Sequence, residues 1–408
     1  MWKAGRLIAL ILAAVLAVVP AASLADQPAA TEGINILKIS GMEPLEIPDN
    51  EAMRLVREMK AGWNLGNTFD AYDGYKTFVK GAGLETFWSN PVTTKELLQT
   101  IRDAGFNAVR IPVSWHNHTD SDGTIDPEWM ARVKEVVDWA LDLGLYVIVN
   151  VHHDNHNAWY FPDSAHYEQS AAWLKSVWTQ MAETFRDCGD HLILESMNEP
   201  RLEGTRYEWV WDADSPVSQD AADCINRLNQ LFVDTVRATG GSNATRFLAV
   251  PAYDASPWAA CDDAFRLPED TVENRLIVSV HAYAPGNFAL SVSSKDIYFD
   301  PARNQGKTKE ILTIMERLYD RFISKGIPVL LDEFGAVEKP KNYQARVNYA
   351  AYYTAAASTH GMTCFWWDNG AYGGTGTNEQ FGIINRSRSE WVYPDIVLAI
   401  MANCEYNR

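Results

Sequence analysis

Two glutamates in this sequence stand in contexts that favour acid–base and nucleophilic chemistry. Glu199 lies in the string Met-Asn-Glu-Pro-Arg and Glu333 in the string Asp-Glu-Phe-Gly, and each follows a short apolar run. A pair of carboxyl groups that flank one bond can cleave an acetal, because one group donates a proton while the other attacks or activates water. A single glutamate in such a position is more often a salt-bridge partner, so the pair must be judged by its surroundings.

Other apolar runs of the sequence also end in polar or aromatic residues. These residues are Arg110 and Trp115, His152-His153-Asp154, Asn198, His281 and Tyr283, Asp332, and Trp366-Trp367-Asp368-Asn369-Gly370. In a closed barrel of parallel strands, the carboxyl ends of all strands meet at one face, and the active site lies there. The recurrence of these residues at successive run ends therefore predicts one shared site.

The segments that must position these residues alternate between strand-like and helix-like patterns. Helices are predicted at 93–104, 131–143 and 311–324, from apolar residues at helical spacing and a glycine at or just beyond each end. Short apolar runs bounded by glycine, proline or polar residues predict strands at 62–67, 108–112, 146–151, 192–197, 247–250, 276–280, 328–331 and 363–366. Eight strands that alternate with helices predict an α/β fold, a (β/α)₈ TIM barrel.

The predicted organisation is a signal peptide at 1–25, a short N-terminal segment at 26–49 and a single catalytic domain at 50–408. An open, doubly wound sheet is the structural alternative to the barrel. It is disfavoured because no glycine-rich phosphate loop follows the first predicted strand.

Seven strings, in this order, resemble those of the glycoside hydrolase family 5 endoglucanases. They are WNLGNTFDA (63–71), NAVRIPVSWHNH (107–118), VHHD (151–154), MNEPR (197–201), VHAYAP (280–285), DEFGA (332–336) and FWWDNG (365–370). The combination is most similar to the subfamily with cellulases, lichenases, xyloglucanases and some xylanases. The resemblance spans about residues 50 to 400, and it implies a retaining endo-β-1,4-glucanase.

The resemblance also implies catalytic roles. Glu199 matches the general acid/base, Glu333 the nucleophile, and Arg110 the arginine beneath the nucleophile. A guanidinium beside Glu333 would hold it ionised, whereas a second carboxylate near Glu199 would raise the pKa of the acid. We therefore expect the two glutamates to differ in protonation.

Further matches concern substrate binding. Asn198 matches the residue that binds the sugar 2-hydroxyl, His281 and Tyr283 match the pair that flanks the two glutamates, and His152 matches a histidine that contacts the sugar at the cleavage site. From the eighth strand we expect Trp366, rather than Trp367, to form the floor of the sugar subsite.

Asn67 and His116 are expected to line the same cleft, and Trp209-Val210-Trp211 is either a sugar platform or a loop packed on the barrel.

Composition and charge restrict the partners. The formal net charge is −18, which argues against nucleic acid and anionic membranes as partners. Residues 1–25 combine Lys3 and Arg6, the apolar run Leu7–Val19 and the small residues Ser23-Leu24-Ala25, which is typical of a secretory signal peptide. We therefore expect a secreted monomer that acts on a polysaccharide and has no membrane attachment once the signal is cleaved.

The sequence also permits two alternative functions. The run His152-His153-Asp154 invites a zinc site, but adjacent residues of a strand point to opposite faces, so we expect no metal and no cofactor. A non-catalytic carbohydrate-binding barrel would not require Glu199, Glu333 and Arg110, and all three are present. The same chemistry on xylan or mannan stays open.

Five cysteines indicate no disulfide framework, and the sequence does not choose among pairings.

Overall fold

Eight parallel strands close into a barrel in the computed structural model, which describes residues 28–74, 78–374 and 378–405. The predicted signal peptide therefore lies outside the described residues. The strands follow each other in chain order, and the eighth pairs with the first. They are β1 Gly62–Leu65, β2 Ala108–Ile111, β3 Tyr146–Asn150, β4 Leu192–Glu195, β5 Leu248–Pro251, β6 Leu276–His281, β7 Val329–Phe334 and β8 Thr363–Asp368.

Helices alternate with these strands and surround the barrel. They are α1 Glu51–Glu58, α2 Lys95–Asp103, α3 Pro127–Asp142, α4 Tyr167–Thr184, α5 Pro216–Ala238, α6 Pro257–Ala260, α7 Gly286–Ala289, α8 Gln305–Arg321, α9 Tyr343–Thr359 and α10 Pro394–Asn403. Short 3₁₀ turns occupy Gly83–Thr86, His116–His118, Gly241–Ala244, Tyr253–Ala255 and Ile323–Lys325, and a two-stranded ribbon joins Ile384–Asn385 to Glu390–Trp391.

The predicted (β/α)₈ barrel is confirmed, and every predicted strand is present with ends shifted by a few residues. Helix boundaries follow local chemistry. The side chain of Thr94 caps α2, and Asp126 caps α3, where Pro127 occupies the first turn. Gly144 follows α3 with φ +79°, a left-handed conformation that glycine adopts without strain.

Helix α1 closes the end of the barrel at which the strands begin. Its buried Leu55 and Val56 belong to an apolar cluster with residues of the barrel interior, among them Ile148, Ile193 and Phe365. The hydroxyl of Thr363, at the start of β8, donates to the carbonyl oxygens of Val56 and Met59. This end is therefore filled by side chains, and the opposite end is left for the site.

The N-terminal segment 28–49 packs against the last two helices. The Thr31 backbone N–H donates to Asp395 at the start of α10, and Ile39 donates to Asn403 at its end. Leu45 donates to the carbonyl of Thr359 in α9.

All five cysteines are free thiols. Among the described residues no helix combines the length and apolarity that a membrane span requires.

Irregular pairing marks the carboxyl ends of β6 and β7. Their register shifts between Ser279 and His281, where His281 pairs with Glu333, and β7 shifts again against β8 between Leu331 and Phe334. Bulges of this kind change the direction in which side chains point. They place two predicted site residues side by side at the open end of the barrel.

Candidate active site

A cleft of about 650 Å³ lies at the carboxyl ends of the strands. Its walls combine carboxylates, histidines and aromatic rings. They are formed by Tyr72, Trp88, His152, His153, Asn155, Asn198, Glu199, Arg201, Glu203, Glu208, Trp209, Tyr283, Leu290, Glu333, Trp367, Glu379 and Phe381. Both predicted glutamates therefore face the same space.

The two glutamates are held close together. His281 Nδ1 lies 2.6 Å from Glu199 Oε1 and 3.6 Å from Glu333 Oε2. One carboxylate oxygen of Glu199 and one of Glu333 lie within 4.8 Å of each other. The side chain of Glu199 is 17% exposed and that of Glu333 is 6% exposed, so both can reach a molecule in the cleft.

Arg110 lies beneath Glu333 and is fully buried. Its Nη1 donates to Glu333 Oε1 at 2.7 Å, and its Nε and Nη2 donate to the two oxygens of Glu195 at 2.7 and 2.9 Å. Such paired, charge-assisted hydrogen bonds fix both partners in position. Tyr283 holds the other oxygen of the nucleophile candidate, because its hydroxyl donates to Glu333 Oε2 at 2.8 Å.

Two further buried carboxyl groups belong to this network: Asp332, which was expected at the shared site from its place after an apolar run, and Glu195, which was not predicted. Glu195 ends β4 and binds Arg110, while Asp332 precedes Glu333 in β7 and lies 3.6 Å from His281 Nε2. Burial, with the charge of Glu195 second, raises the pKa of Asp332 to about 7. An acid that ends an otherwise apolar strand, as in Leu-Ile-Leu-Glu, was the available signal for Glu195.

The pKa expected for Glu199 is wrong for the free enzyme. Burial acts to raise the pKa of Glu199, but the hydrogen bond and charge of His281 outweigh it and lower that pKa below its ordinary value. Burial acts to lower the pKa of His281, yet the charge of Glu333 and the contact with Glu199 raise it to about 9. The resemblance implied that His281 flanks the two glutamates, but it did not imply that His281 holds the proton.

The amide of Asn198 has a defined orientation. Its Oδ1 accepts a hydrogen bond of 2.7 Å from Arg110 Nη2, so the amide NH₂ is left to donate elsewhere. Asn198 lines the cleft beside Glu199. The group can therefore serve as a hydrogen-bond donor to a hydroxyl of a bound molecule.

His152 is a neutral donor in the cleft wall. Val113 N–H donates to Asn150 Oδ1, which directs the Asn150 Nδ2 group at His152 Nδ1. Nδ1 therefore accepts, and Nε2 carries the hydrogen. Burial, followed by the charge of His153, lowers the pKa of His152 well below its ordinary value.

The hydrogen bond between Asn150 and His152 argues against a metal site at His152 and His153. Alternation along a strand predicts that the side chains of His152 and His153 point to opposite faces. In the structure, however, Asp70, His152 and His153 bring potential ligand atoms within 4.8 Å of one another. Coordination through His152 Nε2 would, however, move the proton to Nδ1, where it would face the Asn150 NH₂ group. The residues therefore do not fit an ion well.

The prediction for the eighth strand is wrong. Trp366 is completely buried, its indole N–H donates to the carbonyl of Phe381, and its ring packs edge-on against Phe334. Trp367 is the residue that lines the cleft, and its ring lies parallel to that of His152 at 5.9 Å between centroids. Side chains alternate along β8, so only the absolute register could decide between the neighbours.

Asn67 and His116 do not line the cleft. Asn67 occupies a left-handed turn after β1, with φ +55°, and its backbone bonds Asp70 and Asn90. His116 is buried behind the wall, where Nδ1 contacts Asp154 at 2.8 Å and its ring lies 4.4 Å from that of Trp159. The two residues support the wall instead of forming it.

In the loop after β4, one tryptophan faces the cleft as a sugar platform would, and the other packs on the barrel. Trp209 is 59% exposed and lines the cleft, with the guanidinium of Arg201 at 4.0 Å from its ring centroid. Trp211 packs against Tyr253 and the core. Arg201 also approaches Glu199 Oε2 at 3.7 Å, a role that its place in MNEPR could have suggested.

Known proteins resemble this chain over most of its length. The family model "Cellulase (glycosyl hydrolase family 5)" matches residues 72–373. Endoglucanase 1 of Ruminococcus albus is 42% identical over 349 residues, covering 85% of this chain and 80% of that protein. Endoglucanase A of Ruminococcus albus is 38% identical, covering 88% of this chain and 94% of that protein.

Solved structures agree with the barrel. A variant of a family 5 lichenase from Caldicellulosiruptor sp. F32, in complex with cellotetraose, is 46% identical with a TM-score of 0.88, covering 91% of this chain and all of that one. A broad-specificity endoglucanase from Ruminococcus champanellensis with bound cellotriose is 40% identical with a TM-score of 0.80, covering 88% of this chain and all of that one. This chain belongs to glycoside hydrolase family 5, the cellulase family.

Proposed function

We propose that this protein is a secreted, retaining endo-β-1,4-glucanase that hydrolyses β-glucan backbones and acts as a monomer. The observation that carries the proposal is the separation of Glu199 and Glu333, whose nearest oxygens lie within 4.8 Å. Retaining glycosidases hold their carboxyl groups about 5–5.5 Å apart, whereas inverting enzymes need roughly 6.5–9.5 Å to admit a water molecule. The separation supports direct attack by one carboxylate.

In the first step Glu333 attacks the anomeric carbon. Arg110 and Tyr283 bind its two oxygens, which keeps the carboxylate ionised and aimed. The bond to the leaving oxygen breaks as the ester with Glu333 forms, and Glu199 donates a proton to that oxygen. The NH₂ group of Asn198 is placed to donate to the sugar 2-hydroxyl.

The proton for this step is stored on His281. The charge of Glu333 contributes to the raised pKa of His281. As Glu333 loses its charge by forming the ester, that pKa falls, and the proton moves from Nδ1 to Glu199 and on to the leaving oxygen. Bond formation and proton delivery are thereby coupled electrostatically.

In the second step a water molecule enters the place of the half of the substrate that has left. Glu199, now a carboxylate, takes a proton from water as its oxygen attacks the anomeric carbon. The ester bond breaks, Glu333 is regenerated as a carboxylate, and the proton returns to His281. Two inversions give a product with the original β configuration.

Azide rescue tests the assignment of the nucleophile. Glu333→Gly should lose nearly all activity on an activated aryl β-cellobioside, and azide should restore turnover as an α-glycosyl azide. Glu199→Gly should instead give a β-glycosyl azide, because its nucleophile is intact. An α-azide from Glu199→Gly, or no rescue of either variant, would contradict the assignment.

Substrate class and secretion complete the proposal. Relatives named endoglucanase and lichenase, some solved with cello-oligosaccharides, support a β-glucan, and residues 1–25 have the pattern of a cleaved signal. Product profiles on barley β-glucan, xyloglucan, xylan and glucomannan decide the substrate. Activity confined to xylan or mannan would refute it.

A further inference from the structure

A second cavity of about 260 Å³ adjoins the cleft on the side of Glu199. The two cavities share Glu199, Trp209, Tyr283 and Leu290. Trp367 lines only the cleft, and Trp258 lines only the second cavity. Glu199 therefore stands at the boundary between them, where the proton donor must meet the departing half of a substrate.

Asp254 brings an unsatisfied carboxyl group to this cavity. The residue lines the cavity, and its buried Oδ1 has no hydrogen-bond partner within the described part of the chain. Because no hydrogen bond holds Oδ1 in place and the residue is partly exposed at the cavity, the carboxyl group can turn to present an oxygen to a bound molecule. Burial, with the charge of Glu199 second, raises the pKa of Asp254 well above its ordinary value.

The backbone holds Asp254 in this place. Its φ of +56° is left-handed, and its N–H donates to the carbonyl of Pro200, the residue that follows Glu199. Aspartate is one of the few residues other than glycine that adopt this conformation readily. The turn thus ties the Asp254 carboxyl to the segment that carries the proton donor.

Two tryptophans supply apolar surface on the same cavity. Trp209 is 59% exposed and Trp258 is 44% exposed. The guanidinium of Arg317 lies 5.1 Å from the ring centroid of Trp258, which fixes the indole by a cation–π contact. Among the described residues the lining has no lysine or arginine, and the carboxyl groups of Glu199, Asp254 and Glu310 outnumber the imidazole of His281, so an uncharged sugar suits the cavity better than a uronic acid.

We propose that Asp254 is a specificity-determining residue for the departing half of the substrate. Its carboxyl hydrogen-bonds a hydroxyl of the glucosyl unit that Glu199 releases, and that unit lies in the second cavity against Trp258. This assignment rests on the proposed β-glucanase function. It makes the structure of the leaving group, as well as its acidity, part of what the enzyme recognises.

Two substitutions separate the hydrogen bond from the backbone turn. Asp254→Gly removes the side chain and still suits the positive φ, while Asp254→Asn keeps a donor and an acceptor in a residue that tolerates this conformation. One lost hydrogen bond of ~1.4 kcal/mol corresponds to a tenfold change. We expect Asp254→Gly to lower kcat/KM on cellotetraose by about tenfold, and Asp254→Asn to lower it by less than about threefold.

An aryl β-cellobioside supplies the comparison, because its leaving group has no hydroxyl. The ratio of kcat/KM on cellotetraose to that on the aryl substrate should fall about tenfold in Asp254→Gly, and Trp258→Ala should lower the same ratio. Equal losses on both substrates, in variants with wild-type Tm, would show that Asp254 acts only through Glu199 or the fold. An unchanged ratio overturns the proposal.

Binding without turnover distinguishes this proposal from the proposed function. Calorimetry with cellohexaose on Glu333→Gln, with and without Asp254→Gly, should show about tenfold weaker binding in the double variant. A wild-type protein that binds the oligosaccharide but does not cleave it would refute the hydrolase and leave this comparison in force. Equal binding, or none, would refute the role of Asp254.

Discussion

The proton inventory of the site is set by individual residues. Arg110 and a protonated His281 face the carboxylates of Glu195, Glu199 and Glu333. The pKa of His281 is raised to about 9 from its ordinary 6.5, so the stability that its ion pairs contribute is complete below about 6.5 and is lost as the pH rises through about 9.

Replacing His281 should therefore change the pH dependence of catalysis. In His281→Gln the amide can bond Glu199 but stores no proton, so the alkaline limb of kcat/KM on soluble β-glucan should move to lower pH by at least one unit. His360→Gln, which changes a histidine in α9's C-terminal cap, is the control. A limb that stays in place would show that His281 does not supply the proton.

At the scale of elements, the fold was predictable because strand and helix periods differ and each strand end carries its own polar residue. The barrel and the positions of Glu199, Glu333 and Arg110 follow from this pattern. The face of β8 did not follow, because alternation fixes the difference between Trp366 and Trp367 but not which one faces inward. Likewise, sequence could not reveal that His281 Nδ1 lies 2.6 Å from Glu199, since this depends on a bulge.

The adjacent tryptophans of β8 provide a matched pair for testing the register. Trp366→Ala should lower the free energy of unfolding by about 3–5 kcal/mol, because it empties a fully buried site. Trp367→Ala should lower kcat/KM on cellotetraose by about tenfold or more, with a smaller effect on stability. Denaturant unfolding and steady-state kinetics on both variants would reveal the reverse assignment directly.

At the scale of the whole molecule, charge should select among substrates. The formal net charge is −18, and Glu203, Glu208 and Glu379 add carboxylates to the cleft wall. Salt screens such fields, because the Debye length falls from about 30 Å at 0.01 M to about 10 Å at 0.1 M. A carboxylated polymer should therefore be repelled at low ionic strength.

The test compares carboxymethylcellulose with barley β-glucan. Between about 10 and 100 mM NaCl, kcat/KM on carboxymethylcellulose should rise several-fold as repulsion is screened. The neutral glucan should show little change and serves as the control. Parallel responses of the two polymers would mean that the charge of the cleft does not select among substrates.

Because α1 closes the end of the barrel at which the strands begin, the protein can be attached to a surface through that end. Lys60, which lies between α1 and β1, forms an ion pair with Glu405. The last described residues therefore lie at the end of the barrel that α1 closes. The cleft opens at the other end. A tether added after the C-terminal helix would orient the protein on a solid support with its cleft turned outward, so that an immobilised layer would still meet long polymer chains from solution.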